Sequence, residues 1–249
     1  MAALLASIAL VPGLALGSFL NVVVARIPLR RSIIHPGSAC MSCATPIAWY
    51  DNVPVLSYLL LRGRCRHCGT RIPVRYVLIE LTTGLLVAAS LLAFGAHPTA
   101  FVAMIFCAAL VAVSATDFEH RIIPNRIVVP AAAIVLVART VIDPSPEWAL
   151  GALAAGGFLF LAILVYPSGM GMGDVKLALL LGAMLGRTVG VALMFGMLAA
   201  LVPAIVLMVR HGSAARKMAL PFGPFLALGG LVALFAGERL LDAYLNALM

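Results

Sequence analysis

The chain has 249 residues, of which 63% are apolar and only 10% are charged, and its formal net charge is +8. Soluble domains contain about 45–50% apolar and about 25% charged residues, so this composition excludes a soluble enzyme. It also excludes a disordered chain, because disordered chains are poor in apolar residues. The composition predicts a multi-pass membrane protein.

Eight apolar segments follow one another along the chain. A helix needs about 20 apolar residues to cross the hydrocarbon core of a membrane, and most of the segments approach that length. The segments cover residues 2–25, 77–96, 99–116, 127–142, 148–166, 174–186, 188–209 and 220–237. We therefore predict an all-α polytopic membrane protein with about eight transmembrane helices.

The basic residues predict how these helices are oriented. If residue 1 lies outside the cell, 14 of the 17 Lys and Arg residues, Arg216 and Lys217 among them, fall on the cytoplasmic side. This is the positive-inside bias of membrane proteins, and it explains the net charge without a nucleic-acid partner. Nothing basic precedes Arg26, so the first segment is predicted to be a helix rather than a cleaved signal peptide.

A half-polar loop, residues 27–76, follows the first segment and is predicted to be cytoplasmic. It contains two Cys-x-x-Cys pairs with 21 residues between them. This pattern is typical of a closed four-cysteine zinc site, whose metal stabilises a loop too small to fold alone. The predicted zinc ligands are Cys40, Cys43, Cys65 and Cys68.

Three other interpretations of the thiols stay open. Disulfides are disfavoured because the cytosol is reducing, and a redox motif is disfavoured because no βαβ pattern surrounds the pairs. A chance match is the third, since the spacing lies just outside the usual range. His67 lies inside the second pair and is expected to be a bystander.

Acidic residues next to membrane helices are costly and are therefore functional candidates. Asp117 ends the third apolar segment, and Asp174 opens the sixth within Gly171-Met-Gly173-Asp174. The predicted topology brings both to the cytoplasmic side. Because the sixth segment spans only about 20 Å as a helix, we expect the glycine loop to enter the membrane.

Two carboxyl groups that face each other in a partly desolvated pocket predict aspartic hydrolysis, in which one keeps its proton while the other acts as a base. The alternative is purely structural. Asp117 would then pair with Arg121, and Asp174 would cap the sixth helix. The spacing of the residues leaves both interpretations open.

Several motifs occur in series between residues 17 and 176. They are Gly17-Ser18-Phe19-Leu20-Asn21, the two cysteine pairs, residues 49–58, Arg75-Tyr76 with Glu80, Asp117 seven positions before Pro124, and Gly171-Met-Gly173-Asp174-Val-Lys176. Together they resemble the bacterial type IV prepilin peptidases, which are membrane aspartic peptidases of the GxGD type. The chain departs from the family pattern at three points. The first cysteine pair lacks the common proline, and Glu119 and Asn125 stand where the family often has aspartate.

The resemblance implies that Asp117 and Asp174 cleave the leaders of type IV prepilins or type II secretion pseudopilins. Cleavage would take place at the cytoplasmic face of the bacterial inner membrane. Members with the cysteine-rich loop also methylate the new amino terminus with S-adenosylmethionine, so Zn²⁺ and S-adenosylmethionine are the expected cofactors. Expected partners are these substrates and the lipid bilayer, without nucleic acid.

We expect one membrane-embedded domain over residues 1–249, in which the loop 27–76 is inserted between the first and second helices and the part 77–249 supplies helices 2–8 with both aspartates. Gly171, Gly173, Lys176, Glu80 and Asn21 are candidates for supporting the two aspartates or the substrate. Glu80 is expected to pair with a loop arginine. No G-x-G-x-x-G motif locates the methyl donor.

The alternatives to the bifunctional enzyme are a peptidase with a purely structural zinc loop, a proton-coupled transporter and a non-catalytic scaffold. No internal repeat supports a transporter. A scaffold would leave the glycine-flanked aspartate without a role.

Overall fold

The structure, a computed structural model, describes residues 2–167, 170–212 and 220–248. Arg216 and Lys217 lie outside these residues. In the described part of the chain the regular structure is helical. Its α-helices are α1 (Ala2–Arg26), α2 (Leu56–Leu60), α3 (Arg75–Phe94), α4 (Pro98–His120), α5 (Asn125–Ile142), α6 (Glu147–Val165), α7 (Met172–Leu185), α8 (Val189–His211) and α9 (Gly223–Leu248).

Seven helical stretches of the described chain are long and apolar enough to cross a membrane. One of them, Met172–His211, contains both α7 and α8, which are joined by a 3-10 turn over Gly186–Thr188. The predicted all-α, multi-pass architecture is therefore confirmed, while the count of eight spans stays a prediction.

Helix ends differ from the ends of the apolar segments. The third segment ends at residue 116, but α4 continues to His120, so Asp117 lies inside a helix rather than after it. The last apolar segment ends at residue 237, whereas α9 continues to Leu248. The physical reason is that polar residues end the apolar pattern without ending helical hydrogen bonding.

The chain divides into two compact units, Met1–Ala112 and Val113–Met249, with the division inside α4. In the first unit α1 packs against α3. A Cβ added to Gly17 would lie 2.6 Å from the Cα of Glu80, so glycine is needed for this close backbone approach. The predicted cytoplasmic loop connects these two helices.

In the second unit α7 packs against α5, α6 and α9, and α8 packs against α9. Most of α7 is buried, including the run from Leu177 to Leu185 except Leu179. A helix enclosed in this way holds its first turn in a fixed place, and that turn contains Asp174.

Candidate active site and metal centre

Asp117 lies in the last turn of α4 and is only 6% exposed. Its carboxylate Oδ2 accepts a hydrogen bond of 2.9 Å from the backbone N–H of Gly223, the first residue of α9. Arg121, the partner that the structural interpretation assigned to Asp117, is exposed. Its backbone N–H donates to the Asp117 carbonyl at 2.9 Å, and its charge acts on the Asp117 carboxylate.

Asp174 is the third residue of α7 and is 8% exposed. Its Oδ2 accepts a hydrogen bond of 3.1 Å from the N–H of Gly171, and its own N–H donates to the Gly171 carbonyl at 3.0 Å. Asp174 thus helps to cap α7 from the third helical position, while the N-cap residue itself is Gly171. These hydrogen bonds fix the Asp174 carboxyl group in the first turn of the helix.

The two carboxyl groups are close enough for the charge of Asp117 to act on Asp174. Ile123 lies next to a neighbour of each acid, Gly173 beside Asp174 and Gly223 beside Asp117. A Cβ on Gly173 would lie 2.8 Å from the Ile123 Cβ, and one on Gly223 would lie 3.3 Å from the Ile123 Cδ1. The structure thus brings together two acids that are 57 positions apart in the sequence. Such a pair is suited to acid–base chemistry.

Lys176 and Glu119 have partners other than the two aspartates. Lys176 Nζ donates a hydrogen bond of 2.8 Å to Oδ1 of Asn125, which ties α7 to the start of α5. The Glu119 carboxylate lies 3.7 Å from Nε2 of His120. The Glu119 side chain thus lies beside that of its neighbour within α4.

Glu80 and Asn21 lie in the first unit and hold the ends of the loop. Glu80 is 8% exposed, and its carboxylate accepts a hydrogen bond of 2.8 Å from the N–H of Val55. Its partner is thus a backbone amide rather than the expected arginine. Asn21 Nδ2 donates to the carbonyl of Tyr76 at 3.1 Å. Val55 has a φ of 62°, which is strained for a β-branched residue.

The two cysteine pairs form two turns with the same hydrogen bonds. The N–H groups of Ala44 and Gly69 donate to the carbonyls of Cys40 and Cys65 at 2.9 and 3.0 Å. Residues Ala44 and Gly69 both have positive φ, 55° and 69°. The side chains of Thr45 and Thr70 hydrogen-bond to the second sulfur of each pair, on Cys43 and Cys68.

The four thiols converge on one point, where they could hold a metal ion. Their Sγ atoms lie within 4.8 Å of one another, and those of Cys40 and Cys68 are 3.7 Å apart. A tetrahedral zinc ion with Zn–S bonds of about 2.3 Å needs sulfurs about 3.8 Å apart, so the residues fit the ion. Hydrogen bonds from the hydroxyl and backbone N–H of Thr70 lower the pKa of the Cys68 thiol to about 6.

An ion pair attaches the turn at residues 49–52 to the second cysteine pair. Arg66 donates hydrogen bonds of 2.8 and 2.6 Å to the two carboxylate oxygens of Asp51. This hydrogen bonding with the Arg66 guanidinium holds the pKa of the Asp51 carboxyl below its usual value. Arg66 also lies over the ring of Tyr50, 5.6 Å from its centroid.

Gly223 and Ile123 are parts of the site that the sequence pattern does not reveal. The only local signal is that Gly223 stands between two prolines, Pro221 and Pro224, just before an apolar run. A glycine and a proline at a predicted helix start indicate a turn. They do not indicate which side chain the turn contacts.

Comparisons with known proteins match almost the whole chain. The bacterial peptidase A24 N-terminal domain matches residues 11–94, and the type IV leader peptidase family matches residues 104–209. No solved structure was found to match.

Several curated relatives are similar over most of their length. A protein of Bacillus subtilis (strain 168) is 37% identical, over 96% of this chain and 98% of the relative. One of Burkholderia pseudomallei (strain 1026b) is 37% identical, over 92% and 84%, and one of Pseudomonas putida is 36% identical, over 94% and 91%. All three are named prepilin leader peptidase/N-methyltransferase.

Proposed function

This chain belongs to the type IV leader peptidase family, and from that premise we propose which residues perform its reactions. The resemblance predicted from the motifs is confirmed. The protein is a multi-pass membrane enzyme that removes the leader peptides of prepilins and methylates the new amino terminus. Asp117 and Asp174 are the proposed catalytic pair for the cleavage.

In the proposed mechanism one carboxyl group is ionised and the other carries a proton. The ionised group takes a proton from a water molecule as the water oxygen attacks the scissile carbonyl carbon. The protonated group donates its proton to the carbonyl oxygen. When the tetrahedral intermediate collapses, the group that took the water's proton passes it to the leaving nitrogen, and the other group takes back a hydroxyl proton from the intermediate. The peptide bond then breaks and the pair is restored.

The observation that carries this proposal is the burial of both carboxyl groups, each held by one glycine N–H, within electrostatic reach of each other. A structural role alone needs no second acid. Two acids in a site with little water can share one proton, which provides the acid and the base that peptide hydrolysis requires.

For the loop we propose a structural Zn²⁺ on Cys40, Cys43, Cys65 and Cys68. Zn²⁺ would add folding free energy to a loop with little core of its own, and four thiolates leave no position for catalysis. The methyl donor is proposed to be S-adenosylmethionine. Gly171 and Gly173 are proposed to support Asp174, while the contacts of Glu80 and Asn21 favour a role in holding the loop.

We also propose that the enzyme lies in the bacterial inner membrane, with its amino terminus outside and the loop 27–76 in the cytoplasm. The distribution of basic residues supports this orientation. Its substrates would be prepilins or type II secretion pseudopilins. Residues 1–249 are proposed to act as one enzyme, with the helical part 77–249 supplying both catalytic aspartates.

The test is co-expression with a prepilin and mass measurement of the product's amino terminus. The wild-type chain should remove the leader and add one methyl group. Asp117→Asn and Asp174→Asn keep the size of the side chain but remove the acid, so correctly inserted variants should leave the prepilin uncut. Leader removal by either variant would contradict the assignment. Cleavage without methylation would instead favour a peptidase whose zinc loop is only structural.

A further inference from the structure

Gly223 provides the hydrogen bond to Asp117 from a distant part of the chain. It is the first residue of α9, and the carbonyl of the preceding Phe222 accepts hydrogen bonds from Phe225 and Leu226, both at 3.1 Å. The N–H of Gly223 lies ahead of these bonds and points to Asp117 Oδ2, 2.9 Å away. Pro224 has no N–H, so Gly223 contributes the first amide donor of the helix.

The absence of a side chain at position 223 is as important as the N–H. A Cβ built there would lie 2.9 Å from Asp117 Oδ2 and 3.4 Å from Asp117 Cγ. A separation of 2.9 Å is shorter than real Cβ atoms show, so one of the two groups would have to shift. A methyl group at this position would therefore displace the carboxylate itself.

Ile123 would transmit the same disturbance to the second acid. The Cβ at position 223 would also lie 3.3 Å from Ile123 Cδ1, and Ile123 packs against Gly173, the residue before Asp174. Ile123 therefore lies in space that Gly173 and Gly223 leave free because neither has a side chain.

We propose that Gly223 is a positioning residue for peptide cleavage, which sets the place of the Asp117 carboxylate through its N–H and its missing side chain. The inference rests on the proposed catalytic role of Asp117. Gly223 does not touch the substrate in this scheme. It acts through Asp117, so its loss should slow the chemical step more than it weakens substrate binding.

The test compares purified Gly223→Ala with wild type and with Gly190→Ala, a control in α8 where a Cβ would meet nothing within 4 Å. A displacement of about 1 Å in a catalytic group costs about 10²-fold in rate. We expect Gly223→Ala to lower kcat for prepilin cleavage by about 10- to 100-fold and to leave KM within about twofold. Methylation of a substrate already lacking its leader should persist, and Gly190→Ala should match wild type.

Thermal unfolding gives a second readout that does not depend on activity. If the added methyl group collides with Asp117, Gly223→Ala should lower the melting temperature less in an Asp117→Ala background than in the wild-type chain, because the colliding carboxylate is then absent. This double-mutant comparison applies even if Gly223→Ala unfolds too readily for kinetics.

The outcomes separate the positioning role from the catalytic assignment. Unchanged kcat in Gly223→Ala, or melting-temperature changes that add independently, would overturn the positioning role and leave the aspartates as the catalytic pair. A parallel loss of cleavage and methylation in Gly223→Ala would also overturn it, as a general folding defect. Cleavage by Asp117→Asn would overturn the proposed function instead.

Discussion

Asp117 and Asp174 are held by the same kind of donor, a glycine N–H at a helix start, but over very different distances in sequence. The donor to Asp174 is three residues away, so the local motif fixes that side chain. The donor to Asp117 is 106 residues away, so its position depends on how α9 packs. Changes that loosen α9 should therefore affect Asp117 more than Asp174.

Lys176 illustrates how a charge close to a catalytic group can have a separate role. Its hydrogen bond to Asn125 lies near the surface, where such contacts contribute less than about 1 kcal/mol. We predict that Lys176→Ala lowers the free energy of unfolding by no more than that and leaves kcat close to wild type. Kinetics and chemical denaturation measure the two quantities.

The matched control for this prediction is Asn125→Ala, which removes the other partner of the same bond. The two substitutions together should cost no more than either alone, because a broken hydrogen bond cannot be broken twice. A loss of kcat in Lys176→Ala as large as that of Asp174→Asn would show that the lysine serves the aspartate.

At the scale of elements, Glu80 attaches the short loop helix α2 to the long helix α3. Its carboxylate bonds to the N–H of Val55, whose backbone is strained, so the bond helps to maintain that conformation. We predict that Glu80→Ala destabilises the first unit by about 1–3 kcal/mol, because the Val55 N–H loses its acceptor. Thermal unfolding and limited proteolysis of the loop would measure this loss.

Glu80→Gln is the informative companion variant, since its amide oxygen can still accept the Val55 N–H. It should lose clearly less stability and protease resistance than Glu80→Ala. Equal behaviour of the two variants would mean that the carboxylate's charge, rather than its hydrogen bond, holds the loop.

The paired cysteine turns predict the metal content of the loop. Purified protein should contain about one equivalent of zinc per chain. Cys40→Ser and Cys65→Ser, one from each turn, should both lose most of it and make the loop sensitive to protease. Cys107→Ala is the control, because this thiol is buried in α4 and is not one of the four grouped thiols. Wild-type metal content in Cys40→Ser or Cys65→Ser would contradict the four-thiolate site.

Local features could be predicted from the sequence far better than distant contacts. The cysteine spacing is a local pattern, and so is the capping of α7 by Asp174, so both could be anticipated. The hydrogen bond from Gly223 to Asp117 could not, because hydropathy locates helices without telling which helix start faces which side chain. The ends of α4 and α9 lie beyond the ends of the predicted apolar segments for a related reason. Both helices continue through charged residues that interrupt the apolar pattern.

At the scale of the whole molecule, the distribution of basic residues makes a prediction about sidedness. A thiol introduced as Asp143→Cys, in the connection between α5 and α6, should react with a membrane-impermeant maleimide in intact spheroplasts. A thiol introduced as His35→Cys, in the loop, should react only after the membrane is opened. Wild type is the control for the five native cysteines. The reverse labelling pattern would invert the proposed orientation.

The proposed catalytic pair predicts that the two aspartates act as one unit, and single-turnover cleavage of a prepilin by purified variants measures this directly. Asp117→Asn and Asp174→Asn should each slow cleavage by about 10²–10⁴-fold or more, and the double variant should be no slower than the slower single variant. Rate losses that multiply in the double variant, or either single variant cleaving at the wild-type rate, would contradict a shared acid–base pair.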